Sequence, residues 1–186
     1  MDETNGNGGV VVEAARDDQP SPTTTAADVS VQLAAPIASK LDAAAALRTL
    51  RGFLSQQQLR AIDAGCWSDD RQFFYDKLVE LADIVRTMPK TYEQDGKCEE
   101  AIAYLHYFSA GADWYITEKD LEREQHQAYG QADLGHGPEC GYISLVELMT
   151  HGVELDFHFS PKTLAEINHI TLSINPALSP SSNSGF

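Results

Sequence analysis

Four residues have side chains that could together bind a divalent metal: His106, Glu118, Asp156 and His158. Imidazole nitrogens suit zinc or iron, whereas carboxylate oxygens suit harder ions. The residues come from three predicted strands, and His106 and Glu118 lie on one predicted hairpin, where their side chains could approach each other. One hypothesis is therefore a small metal-dependent enzyme with this predicted metal set on its sheet. The spacing of these residues is not diagnostic of a metal site. We therefore favour the alternative, in which Glu118, Asp156 and His158 lie on the solvated face of a half-exposed sheet.

Two possible nucleophiles, Cys140 and Ser144, have simpler explanations. Glu139 precedes Cys140, and its negative charge disfavours the reactive thiolate. Ser144 stands at capping-box spacing from Glu147, so we interpret it as a helix cap. The glycines within 130–141 form neither GxGxxG nor GxxxxGK[ST], and these patterns of nucleotide binding are missing. The sequence therefore predicts no catalytic residue and favours a role other than catalysis.

Aromatic and acidic residues between positions 93 and 142 have two interpretations: core aromatic residues beside a solvated acidic surface, or a surface that binds another protein. The segment Glu93–Gln125 holds nine acidic and three basic residues, and Tyr and Trp are enriched at protein interfaces. The predicted binding face comprises Trp114, Tyr115, Glu118, Asp120, Glu139 and Tyr142. A sharper hypothesis is mimicry of nucleic-acid charge, in which five carboxylates would occupy a basic DNA-binding groove: Asp113, Glu118, Asp120, Glu122 and Glu124.

The composition argues against several classes of partner. A formal net charge of −15 repels nucleic acid and anionic membranes. The 13 Lys and Arg residues are scattered, so no basic patch offsets that repulsion. No stretch approaches the ~18 consecutive apolar residues typical of a transmembrane helix. We therefore expect a protein partner, with neither direct nucleic-acid binding nor a membrane anchor.

Cysteine usage and the N-terminus indicate the compartment. Cys66, Cys98 and Cys140 include no CxxC pair, so neither a disulfide framework nor a zinc knuckle is predicted. The N-terminus lacks a basic region followed by an apolar run, so secretion is not expected. The sequence thus predicts a cytoplasmic protein that needs no cofactor, a divalent metal remaining the alternative.

The chain predicts one α+β domain between two less ordered ends. Residues 1–33 are rich in Gly, Asp, Thr and Pro and cannot bury enough apolar area to offset their ordering entropy, which predicts a disordered acidic extension. Residues 34–170 are predicted to form the domain: N-terminal helices, then a small, mainly antiparallel sheet of about four strands with short helices. Residues 171–186 are predicted to be a flexible tail.

Capping residues locate the helices. Ser39 begins the first predicted helix, and Ser55 begins a short helix that should run through Asp63 and stop at the following Ala-Gly. Ser68 precedes the strongest apolar stripe, which ends at Met88 before a proline. The sequence therefore predicts three helices ahead of the sheet.

Alternating apolar residues locate the strands. A small-residue loop at 109–112 joins two strands into a hairpin, and a third strand covers 127–134. Ser144 begins another short helix, and alternation over 155–159 predicts a half-buried strand. Pro161 stands where a last helix could begin.

Three sequence blocks follow one another along the chain: Trp114–Asp120, reading WYITEKD, Glu139–Leu148, reading ECGYISLVEL, and Leu155–Phe159, reading LDFHF. In these blocks and their order the chain resembles, over residues 87–167, the bacterial domain of unknown function 2958. Cys140 stands where the family usually has Leu. The resemblance implies a small bacterial domain carried on plasmids, phages or integrated elements, with no established activity and no catalytic residues to transfer.

These observations together favour a non-enzymatic protein-binding or accessory module of a bacterial mobile element. Its acidic face would engage a basic protein that handles nucleic acid. The small metal-dependent enzyme remains the second hypothesis.

Overall fold

Three helices begin the part of the chain that a computed structural model describes, residues 37–174. They are α1 (Lys40–Leu50), α2 (Gln56–Cys66) and α3 (Arg71–Thr87). The Ser39 hydroxyl accepts from the Asp42 amide, while the Asp42 carboxylate accepts from the Ser39 amide, which completes a capping box. The predicted disorder of residues 1–33 lies outside the described residues.

Two helix boundaries differ from the predicted ones. Helix α2 continues through Gly65 to Cys66, because this glycine serves packing instead of termination: a Cβ there would lie 2.3 Å from the Phe74 ring. Helix α3 begins at Arg71, after Ser68 has formed a turn in which its hydroxyl accepts from the Asp70 amide. The predicted end of α3 at the residue before Pro89 is confirmed.

A five-stranded antiparallel sheet follows the helices, which confirms the predicted α+β class. The remaining elements in chain order are β1 (Ile102–Ala103), β2 (Leu105–Ser109), β3 (Ala112–Lys119), β4 (Gln127–Asp133), β5 (Pro138–Ser144), α4 (Leu145–Thr150), β6 (Glu154–Leu155), β7 (Lys162–Thr163) and α5 (Leu164–Ile174). The spatial order of the sheet is β5-β4-β3-β2-β6, and β1 pairs separately with β7. The predicted hairpin is the β2–β3 pair.

The predicted strand over 155–159 is wrong beyond Leu155. Strand β6 pairs with β2 only at Glu154 and Leu155. Past this point the Asp156 carboxylate accepts from the His158 amide at 2.8 Å, which turns the chain away from the sheet. Apolar alternation in this segment therefore reflects packing around a turn, where Phe159 reaches a second core cluster.

Apolar side chains cover both faces of the sheet. The first core cluster joins Leu50 and Leu78 of the helices to Tyr107 and Ile116 of the sheet. The second cluster contains Ala101, Ala103, Leu164 and Ile167 and receives Tyr115 at its edge. Tyr115 and Ile116 are consecutive in β3 and so face opposite sides.

Helix α5 ends the described part of the chain. It runs to Ile174, four residues past the predicted domain end at 170, and residues 175–186 of the predicted tail lie outside the described residues. None of the helices within 37–174 is long and apolar enough to cross a membrane.

Candidate functional site

A cavity of about 630 Å³ lies against the sheet face opposite α1–α3. The loop before the sheet, strands β3, β4 and β5, and helix α5 enclose it. A cavity of this size is within the range that binds small molecules or single side chains. Its lining includes Tyr92, Gln94, Asp95, Cys98, Glu99, Thr117, Glu118, Tyr129, Gln131, Cys140, Tyr142, Leu164 and Asn168.

Glu118 forms a buried wall of the cavity, with a relative exposure of 3 %. The pairing of β3 with β4 shifts register between Ile116 and Glu118. Unbroken alternation would send Glu118 to the helix side together with Ile116, whereas the irregularity sends it to the cavity. Its two oxygens accept separately from the backbone amides of Tyr92, at 3.0 Å, and of Gln94. The carboxylate thus holds the 91–97 loop over the sheet.

Amide side chains in the cavity wall are bonded to the protein itself. The Gln94 amide donates to the carbonyls of Ile102 and Thr117, at 2.8 and 2.9 Å, and its oxygen accepts from the Ile102 amide. The side chains of Gln131 and Asn168 form a reciprocal pair at 2.8 and 3.2 Å, which fastens α5 to β4. These side-chain amides are therefore already hydrogen-bonded within the protein.

Three tyrosines supply the aromatic wall. The Tyr142 hydroxyl donates to the Tyr92 hydroxyl at 2.9 Å, and this bond raises the pKa of Tyr142. The rings of Tyr142 and Tyr129 meet edge to face, with centroids 5.5 Å apart. Burial raises the pKa of Tyr129. Both phenols stay neutral at physiological pH, so they present their ring faces without charge.

The electrostatic character of the cavity is negative. Asp95 and Glu99 are exposed at its rim, and Glu118 lies inside. No Lys, Arg or His belongs to the described lining, and among the described ion pairs none includes Glu118. A positive charge entering the cavity would meet carboxylates without competing cations.

Two thiols line the cavity as well. Burial raises the pKa of Cys140, and the nearby Cys98 raises it further. The expected disfavouring of the Cys140 thiolate holds, although the cause is burial and a second thiol, not Glu139.

Only two side chains of the predicted metal set contact each other, those of His106 and Asp156. His106 lies between two aspartates, with Nε2 2.8 Å from Asp113, which is outside the set, and Nδ1 3.2 Å from Asp156. Its expected approach to Glu118 is wrong, because the Glu118 carboxylate is held by the 91–97 loop. His158 stacks on the Phe73 ring, with centroids 5.8 Å apart. Within residues 37–174, no three His, Cys, Asp or Glu side chains form a group that could hold a metal ion.

The predicted binding face divides among several environments. Trp114 packs against the first core cluster and Tyr115 against the second. Asp120 is only 6 % exposed, and its carboxylate accepts from three backbone amides of the following turn. Glu139 is exposed on β5. Glu118 and Tyr142 alone among the six line the cavity. Burial of Glu118 and Asp120 also removes two of the five carboxylates proposed for charge mimicry.

Sequence reasoning missed the loop residues Tyr92, Gln94 and Asp95 and the Gln131–Asn168 pair. Tyr92 has a positive φ of 79°, which no composition rule predicts for a tyrosine. The one sequence signal that could have indicated these loop residues is the aromatic and acidic stretch TYEQD, which precedes the predicted sheet.

Comparison with known proteins adds no relative: no family model, no curated protein and no solved structure matches this chain. The resemblance to the domain of unknown function 2958 therefore stays a prediction.

Proposed function

We propose that this domain is a non-enzymatic binding module that receives a positively charged group of a partner protein in its cavity. The observation that carries the proposal is the cavity lining, which combines three tyrosines and three carboxylates with no basic side chain among the described lining residues. Aromatic faces and carboxylates both attract cations. The net charge of −15 would draw a basic partner from a distance.

The metal-dependent enzyme is less well supported. Of its four proposed ligands only His106 and Asp156 contact each other through their side chains, and His106 also contacts Asp113, which lies outside the predicted set. The cavity contains no histidine among its described lining residues to act as a general base near neutral pH.

The partner is, in this proposal, a basic protein that handles nucleic acid in a bacterial mobile element. The negative net charge supports a basic partner, and the sequence resemblance supports a mobile element as the source of both proteins. Cys66, Cys98 and Cys140 are free, which supports a reducing, cytoplasmic location.

A peptide titration tests the proposal. A fluorescent ten-residue lysine-rich peptide is titrated with the protein, and its anisotropy gives the dissociation constant. We expect binding that weakens at least about tenfold between low and high salt, because charge pairing at the rim is screened. A glutamate-rich peptide of the same length should not bind.

Two double variants with equal charge change locate the contact. Asp95→Asn/Glu99→Gln changes the cavity rim, whereas Glu122→Gln/Glu124→Gln changes exposed acids outside the lining. The rim variant should bind the lysine-rich peptide at least about fivefold more weakly than the control variant. Equal weakening by both variants, or binding that high salt leaves unchanged, would contradict the proposal.

A further inference from the structure

We infer that the cationic group that fits this cavity is a trimethylammonium group, as on a trimethylated lysine side chain. The inference rests on the proposed function, because it names the chemistry of the group that the same cavity receives. Three features of the cavity support it: its charge, its aromatic walls and the state of its hydrogen-bonding groups.

The charge of the cavity favours a cation. Glu118 is a buried carboxylate that touches two backbone amides and, among the described residues, has no basic partner. Asp95 and Glu99 add negative charge at the rim. A neutral or anionic guest would leave this charge uncompensated.

Internal hydrogen bonds argue against cations that carry several N–H groups. Each oxygen of Glu118 already accepts one backbone N–H, and the oxygens of Gln94, Gln131 and Asn168 accept from within the protein. A guanidinium has five N–H donors and a primary ammonium has three. Burying those donors without new acceptors is costly. A trimethylammonium group has no N–H and therefore needs no hydrogen-bond acceptor inside the cavity.

The aromatic walls suit the same group. Tyr129 and Tyr142 lie edge to face, and the hydroxyl bond to Tyr92 fixes the orientation of Tyr142. Rings set at an angle of 81° present more than one surface to a guest. Quaternary ammonium groups are weakly hydrated and bind to such aromatic walls through cation–π attraction.

Choline and its neutral analogue 3,3-dimethylbutan-1-ol give the direct test. The two have the same shape, but carbon replaces the charged nitrogen in the alcohol. Titration of the full chain, followed by NMR shifts or calorimetry, should show choline binding about tenfold more tightly than the alcohol. Ethanolamine, a primary ammonium, should bind more weakly than choline. Equal binding of choline and the alcohol, or tighter binding of ethanolamine, would overturn the inference.

Variants place the binding in the cavity. Tyr142→Ala removes one wall and should abolish the preference for choline over the alcohol, whereas Tyr142→Phe keeps the ring and should retain it. Phe108→Ala is the matched control, because Phe108 is an exposed aromatic residue of β2 outside the lining. A preference for choline that survives Tyr142→Ala would overturn the inference.

A peptide pair separates this inference from the proposed function. One ten-residue basic peptide carries a single trimethyl-lysine, and the other carries unmodified lysine at that position. Tighter binding of the methylated peptide supports both proposals. Equal binding of the two peptides supports the function and overturns the trimethylammonium inference. Strong choline binding with no binding of either peptide supports the inference and contradicts a protein partner.

Discussion

The two faces of the five-stranded sheet differ in the polarity of the side chains that they bury. On the helix side, Trp114, Ile116 and Tyr107 pack with α1–α3 into one apolar cluster. On the other side, Glu118, Gln131, Tyr92 and Tyr142 line a cavity and are held by hydrogen bonds. Burial of apolar area on the helix side stabilises the fold, whereas hydrogen bonds on the cavity side fix the positions of the lining side chains. This contrast is the basis of our proposal that the helix side stabilises the fold and the cavity side receives a guest.

The largest expected effect is on the helix side. Leu78 in α3 is fully buried, so Leu78→Ala should lower the free energy of unfolding by about 3 kcal/mol through lost transfer energy and a new void. Leu41 in α1 is 76 % exposed, and Leu41→Ala should change it by less than about 0.5 kcal/mol. Urea unfolding of both variants measures the difference. Similar losses in the two variants would refute the assignment of the core.

Glu118→Gln should have an intermediate effect on the cavity side. Loss of a charged acceptor for two loop amides should cost about 2 kcal/mol of unfolding free energy. Hydrogen exchange of the Tyr92 and Gln94 amides should accelerate more than exchange in β2. Glu139→Gln, at an exposed carboxylate of β5, is the matched control and should leave both quantities unchanged.

A smaller effect should appear at alkaline pH. Burial, with help from nearby carboxylates such as Asp113, raises the pKa of Tyr115 from 10.0 to about 12. The unfolded chain therefore loses this proton first as the pH rises. The stability contributed by neutral Tyr115 is complete below pH 10.0 and is lost as the pH rises toward about 12.

Urea unfolding at about pH 9 and about pH 11 measures this loss in the wild type and in Tyr115→Phe. The variant should lose less stability over that interval, because it has no phenol to ionise. Identical pH dependence in the two proteins would show that Tyr115 titrates at its ordinary pKa in the fold.

Much of the architecture could be predicted from local signals. Ser39, Ser55 and Ser144 each cap a helix as predicted, because a cap depends on residues only three positions apart. The end of α3 before Pro89 is equally local. Alternation also predicted the β2–β3 hairpin. These elements follow from short-range chemistry that the sequence displays directly.

The site could be predicted only in part. The sequence predicts Glu118 and Tyr142 as binding residues, but the register shift beside Thr117 and the left-handed backbone of Tyr92 determine their positions around the cavity. Both features depend on tertiary contacts between segments far apart in the chain. The Gln131–Asn168 pair joins residues 37 positions apart and has no local signal. The sequence pattern therefore does not predict hydrogen bonds between polar side chains that are far apart in the chain.

Our proposal of a folding face and a recognition face predicts that Tyr142, which it makes the main binding residue, contributes least to stability. Tyr142 is 55 % exposed, so Tyr142→Ala should change the free energy of unfolding by less than about 0.5 kcal/mol. The same variant should lose binding of the trimethyl-lysine peptide.

Measuring both quantities on this one variant is the most direct test of the account. Urea unfolding and peptide titration are carried out on Tyr142→Ala and the wild type under the same buffer conditions. We expect unchanged stability together with at least about tenfold weaker peptide binding. Unchanged binding, or a loss of binding accompanied by a comparable loss of stability, would contradict the division of the sheet into a folding face and a recognition face.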